Sequence, residues 1–156
     1  MNEITLNILV ILAALGCGLV GGIFFAFSTF IMKALKRLLP YQGIESMQAI
    51  NIAVINIWFI AAFFGTALVC LVLVISSLLN SGDGSLFLIS GGIIYLIGTI
   101  LITIAANVPK NNKLEKVDSK SVEGSALWTD YLKTWTFWNH VRTIAALTAS
   151  ILFILY

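Results

Sequence analysis

Arg142 and His140 lie in the run Trp135-Thr136-Phe137-Trp138-Asn139-His140-Val141-Arg142-Thr143, at the mouth of the last apolar segment of a chain that keeps charge out of such segments. An ionised group costs about 2.5–3.5 kcal/mol at mid-membrane and less near the interface, so it is usually partnered and often functional. A histidine side chain changes charge near neutral pH, which suits it to act as a base, a ligand or a hydrogen-bonding residue. Two structural roles compete with these. Arg142 can extend its head to the interface or bond the carbonyl ends of neighbouring helices, and His140 can be an interface residue without chemistry.

Other polar side chains fall at the same level. Tyr95, Thr99, Thr103 and Asn107 recur every four residues, so one face of their helix is polar and must meet protein or water. Ser28 and Thr29 lie near one end of the first apolar segment, Gln48, Asn51 and Asn56 near the start of the second, and Asn139, His140, Arg142 and Thr143 at the start of the fourth. Each has a bland alternative: hydroxyls bond their own helix carbonyls, and Asn51, Asn56 and Asn107 serve as interhelical hydrogen-bond glue. Their convergence on one level is what marks a candidate site.

The elements that must carry these residues follow from composition. The chain of 156 residues is 60% hydrophobic and 10% charged, with a mean hydropathy of +1.02, well outside the soluble range. Stretches without Asp, Glu, Lys or Arg run from Ile4 to Met32, Ser46 to Gly82 and Gly84 to Pro109, and a fourth runs from Thr143 to Tyr156. At about 1.5 Å per residue each of the first three crosses about 30 Å of hydrocarbon, and the fourth does so if it begins near Trp138. The expected fold is all-α: a single integral membrane domain over 1–156, a four-transmembrane-helix bundle with helices at about 4–36, 44–79, 85–108 and 127–156. An interfacial helix leads into the fourth, because Trp128, Tyr131, Trp135, Trp138 and Arg142 are spaced along one helical face. That face is either an aromatic belt in the headgroup layer or a wall over a ligand.

The first apolar run is too long for a signal peptide's core and lacks a convincing cleavage site, so it is expected to remain as a helix. Lys33, Lys36 and Arg37 follow the first helix and Lys110, Lys113, Lys116, Lys120 and Lys133 follow the third, whereas the turn Asn80 to Ser85 has no basic residue. The positive-inside rule then places the basic loops in the cytoplasm and both termini outside, in the plasma (inner) membrane. The short turn makes the second and third helices antiparallel neighbours. Ala14, Gly18, Gly22 and Ala26 on the first helix, and Ala61 and Gly65 on the second, are expected to be packing seams.

Several chemistries are set aside. A di-iron bundle needs carboxylates inside the spans, and there are none. A single histidine excludes two-His copper or zinc sites and bis-His haem, while single-His haem ligation stays open. Cys17 and Cys70 form no C-x-x-C and are expected to be buried fillers. No phosphate-cradling loop or nucleophile elbow is present. The basic residues are dispersed without a recognition motif, which argues against nucleic acid as a partner. Four helices without a repeat or a mid-span break also make a poor transporter unless the chain forms a homo-oligomer.

The segments Gly21-Gly22-Ile23-Phe24-Phe25-Ala26-Phe27-Ser28, Met47-Gln48-Ala49-Ile50-Asn51, Asn107-Val108-Pro109-Lys110-Asn111-Asn112-Lys113-Leu114 and Trp135 to Thr143 resemble the anthrone oxygenase-like family of four-helix membrane proteins, in order and over nearly the whole chain. Relatives often carry Asn-Pro where this chain has Asn56-Ile57, which predicts a straighter start to the second helix here. The resemblance implies insertion of oxygen into anthrones without a metal, flavin or other cofactor. An electron-rich phenol or anthrone reacts with O2 once deprotonated, so a base, donors for the resulting anion and an apolar chamber are sufficient.

On that basis His140 is the expected base, and Arg142, Asn107 and Asn139 stabilise the oxyanion. Trp135, Trp138 and Phe25 sandwich the ring, and Ser28, Gln48, Asn51 and Thr103 complete the polar rim. The partners expected are membrane lipid and a small aromatic or quinone-like ligand. The competing expectation is a non-catalytic protein that binds a lipid, a quinone or a partner helix, with the polar level acting as glue.

Overall fold

The computed structural model describes residues 2–80 and 82–156; Met1 and Ser81, the latter in the expected turn Asn80 to Ser85, lie outside the described residues. Four helices are long and apolar enough to cross a membrane: α1 (Glu3–Leu35), α3 (Ile57–Leu79), α4 (Ser85–Lys116) and α5 (Val122–Ile154), with a shorter helix α2 (Pro40–Ala53) between the first two. The all-helical expectation holds. Only 28–44% of the residues in their apolar windows are buried within the chain, so the remaining Leu, Ile and Phe surface is solvated by lipid.

Capping chemistry sets the starts. Asn2 Oδ1 accepts from the Thr5 N–H at 2.8 Å, Pro40 occupies the first turn of α2, and Ser121 Oγ accepts from the Gly124 N–H at 2.9 Å. The expected straight second helix over 44–79 is instead two helices. Asn56 leaves helical geometry (φ −127°, ψ 161°), and its Oδ1 accepts from the Trp58 and Phe59 N–H groups at 3.1 and 3.0 Å. A side chain that bonds backbone N–H groups locally competes with the helical ladder and starts a new helix. Gly84, at φ +80°, takes the left-handed conformation that starts α4.

Three π-helical segments interrupt the ladders. Phe27–Ile31 lies in α1, and Leu96–Leu101 and Thr103–Asn107 lie in α4. Each has the diagnostic i→i−5 bond: Met32 N–H to Phe27 O, Ile102 N–H to Ile97 O and Val108 N–H to Thr103 O. The last lets α4 run on through Pro109 to Lys116, beyond its expected end near residue 108. A proline ring clashes with the carbonyl four residues back, and the wider π turn before Pro109 makes room for it.

Side by side, the spans close a ring in the order α1, α3, α4, α5. Their common core contains Val20 and Phe24 of α1, Phe63 and Leu73 of α3, Tyr95 of α4 and Phe153 of α5. Tyr95 OH donates to the Phe63 carbonyl at 3.1 Å, tying α3 to α4. A second core lies beyond it at the lysine-rich end, where Ile44 and Met47 of α2 pack on Leu114, Trp128, Tyr131 and Trp135.

The expected seams hold in part: Ser150 Oγ of α5 donates to the Ala14 carbonyl at 2.8 Å and lies 3.3 Å from where a methyl on Gly18 would sit. A methyl group on Gly92 would collide with Val74 and lie 3.1 Å from the Cys70 carbonyl. Gly22 and Gly65 are exposed, with nothing within 4 Å of such a methyl, and Ala61 is exposed too. The four-residue stripe on α1 drifts off the contact face because burial there follows Ala13, Cys17, Val20 and Phe24, at steps of three and four.

Candidate functional site

Helix α5 begins as far back as Val122 and is unbroken, so the expected interfacial helix and the fourth span are one element. Trp128, Tyr131, Trp135, Asn139 and Arg142 form its buried stripe. The aromatic members stack in sequence, with centroids 5.6 Å apart for Trp128–Tyr131 and 5.7 Å for Tyr131–Trp135. They therefore face protein, unlike a headgroup belt. Trp138 leaves the stripe; it is half-buried and meets Phe137 edge to face at 5.2 Å.

The stack ends on the Arg142 guanidinium, which is 4% exposed. Its Cζ lies 4.1 Å from the Phe24 ring centroid and 5.2 Å from that of Trp135. Nη1 donates to Thr103 Oγ1 at 3.1 Å and Nη2 to Asn139 Oδ1 at 2.6 Å. Nε is buried without a partner, and among the described residues no carboxylate bonds the group. A buried cation is normally paired. Here neutral dipoles and two π faces hold it instead.

Behind it the network closes on α1. Asn139 Nδ2 donates to the Phe24 carbonyl at 2.8 Å and to Ser28 Oγ at 2.7 Å, while Thr143 Oγ1 donates to the Asn139 carbonyl at 2.8 Å. Because Thr143's one proton is committed there, Ser28 is the donor in the 3.0 Å contact between the two hydroxyls. Ser28 and the Phe24 carbonyl belong to the π-helical turn of α1 and the turn before it, and Thr103 opens the second π segment of α4. Thr103 Oγ1 itself donates to the Thr99 carbonyl at 2.7 Å.

Of the eleven residues singled out from sequence, Arg142, Asn139, Ser28, Thr103 and Trp135 meet in this cluster. Asn107 borders it: Nδ2 donates to the Trp135 carbonyl at 3.2 Å, and its buried Oδ1 has no partner. Gln48 lies elsewhere, its Nε2 donating to the Leu114 carbonyl at 2.9 Å where α2 meets the end of α4. Asn51, also on α2, has a buried amide nitrogen with no partner. Phe25 is 52% exposed on the outer face of α1. His140 is exposed as well, in a surface groove beside Ser28 and facing away from the guanidinium. The pair treated as one site is split across the helix wall.

Phe24, Thr99, Asn111 and Tyr131 complete the surroundings; none was assigned a role in the site, although Thr99 and Tyr131 lie on the two stripes read from the sequence. Asn111 Oδ1 accepts from Tyr131 OH at 2.8 Å and from Trp135 Nε1 at 2.7 Å, which locks the aromatic stack. It extends the four-residue stripe of Tyr95, Thr99, Thr103 and Asn107 by one step, a signal present in the sequence.

These features define a class: a helical membrane protein with a polar, arginine-centred cluster enclosed among its spans. The family model described as anthrone oxygenase matches residues 56–152, and the chain belongs to that family. The match takes in α3 to α5, and with them Thr103, Asn107, Trp135, Asn139 and Arg142; Phe24 and Ser28 precede it. No curated protein and no solved structure matches the chain. Among the described residues no group of three or more His, Cys, Asp or Glu side chains is placed to hold a metal ion.

Proposed function

We propose that the protein is an oxygenase for a planar phenolic or anthrone-type ring, with the Arg142 cluster as the anion-stabilising end of its site, in the cytoplasmic half of the inner membrane. The observation that carries this reading is the buried guanidinium, held between two aromatic rings, with no carboxylate partner among the described residues and no acceptor at Nε. Such a group has donor capacity and positive charge to offer an incoming oxyanion in a low-dielectric setting, where both count for most.

The chemistry balances on the ring and O2 alone. An anthrone's methylene carbon loses a proton, leaving an enolate with its charge on oxygen. That carbon bonds to O2, the peroxide anion takes back the proton from solvent, and the hydroperoxide loses its terminal O–H with the second methylene hydrogen as water, giving the quinone. The chain's part is to hold the oxyanion at Arg142 and so acidify the carbon, which lets solvent act as base. Asn139 and Thr103 fix the guanidinium plane.

The test is aerobic conversion of an anthrone to its anthraquinone by protein purified in detergent, followed by absorbance. Arg142→Lys is expected to lower turnover by about 100- to 1000-fold, the scale of losing one oxyanion donor, because an ammonium lacks the planar fork and the stacking face. A folded Arg142→Leu protein that works at the wild-type rate would end the proposal. Tight ring binding without turnover would favour the non-catalytic binder.

A further inference from the structure

A groove of about 300 Å³ opens on the outer surface between the last turns of α1 and the first half of α5. Lys33 and Lys36 line it from one helix and Lys133 and His140 from the other, over a floor of Met32 and Leu132, and no Asp or Glu lines it. A second lysine-bearing pocket, at the loop into α5, is different: there Lys113 and Lys116 share the lining with Asp118 and Glu123. One site is balanced in charge and the other has a single sign.

Position narrows the ligand further. Lys33 is the first charge after the apolar run of α1, so the groove sits where hydrocarbon gives way to headgroups. Toward mid-membrane the same two faces continue into Phe25, three residues before Ser28, and Ile144, four after His140, which are 52% and 67% exposed. Gly22, a further turn along, leaves open space beside them. Three ammonium groups over an apolar track match an amphiphile with an anionic head, and lysine stems can lie along apolar surface while their charged ends converge.

We propose that this groove is a binding site for an anionic glycerophospholipid, its phosphate held by Lys33, Lys36 and Lys133 and an acyl chain lying along Phe25 and Ile144. The lipid is thereby a specific ligand of one seam of the bundle, distinct from the annular lipid around the rest.

The experiment is native mass spectrometry of the intact protein released from vesicles of phosphatidylglycerol and phosphatidylcholine in equal amounts. Wild type is expected to retain phosphatidylglycerol selectively. The K33Q/K36Q/K133Q variant is expected to lose about a hundredfold in affinity, at roughly fivefold per lysine near an anionic surface. K33R/K36R/K133R, which keeps the charge, and K113Q/K116Q, which alters the balanced pocket, are expected to retain the lipid. Circular dichroism establishes that each variant is folded. Equal loss in K113Q/K116Q would mean diffuse surface attraction and would overturn the site. So would retention by the glutamine triple variant, or displacement of the lipid by millimolar inorganic phosphate, which would point to a soluble anion. Anthrone turnover is not a readout here, so this outcome and that of the Arg142 proposal are independent.

Discussion

Asn139 has its amide orientation fixed by its neighbours: the oxygen must face the Arg142 donor, so the nitrogen serves the Phe24 carbonyl and Ser28. Asn139→Ala leaves Nη2 without its acceptor and removes the amide donor from the Phe24 carbonyl and Ser28 Oγ, and is expected to cost about 1–3 kcal/mol in detergent melts. Asn139→Asp, which keeps only the acceptor, sets a carboxylate oxygen against that carbonyl and is expected to be destabilising as well. His140→Ala, at an exposed position, is expected to stay within about 0.5 kcal/mol of wild type. The polar stripe of α4 and the arginine were legible because hydrogen-bonding groups inside a span must face inward. Grouping His140 with Arg142 failed because two positions on a helix lie about 200° apart. The same geometry separates exposed Phe25 from buried Phe24, one residue and about 100° away.

At the scale of elements, the departures from regular helix are what build the site. Pro109 and the π turn before it keep α4 continuous while Thr103 and Asn107 both face α5. α4 was expected to stop near residue 108 because its charge-free run ends at Pro109, and a helix that continues as a polar segment carries no such mark. Asn56 was read as interhelical glue, yet it is exposed and caps α3, because capping and gluing demand the same amide and differ only in context. The small-residue stripes held at Ala14 and Gly18 and failed at Gly22, Ala61 and Gly65, because a four-residue repeat drifts around a helix of 3.6 residues per turn and only close approach shows which glycine matters. Gly92→Ala is expected to cost about 1–3 kcal/mol through collision with Val74 and the Cys70 carbonyl. Gly22→Ala and Gly65→Ala meet open space and are expected to be neutral or slightly stabilising. Melting all three in one detergent makes the comparison.

For the whole molecule, length is informative. At about 1.5 Å per residue α3 is about 35 Å long, close to the hydrocarbon thickness, whereas α1, α4 and α5 are each about 50 Å. The excess forms the second core with α2 at the basic end. Four spans were legible because charge-free runs of sufficient length have few alternatives. That second core was not, since aromatic residues beside a span read equally well as a headgroup belt. The lysine distribution predicts that this end faces the cytoplasm. Lys113→Cys is then expected to resist an impermeant thiol reagent in intact cells and Asp83→Cys to react, with Cys17 and Cys70 silent because both are fully buried. Labelling with the pattern reversed would invert the orientation. Ser28 gives the bundle one more property, since its hydroxyl takes the Asn139 amide on one side and borders the groove on the other. An occupant of the groove that shifts this hydroxyl changes the affinity of a ring at Arg142 by some factor, and thermodynamic reciprocity requires the ring to change the occupant's affinity by the same factor. Titrating each in the presence of the other measures that factor, and a value of one would mean the two ligands are blind to each other across a single serine.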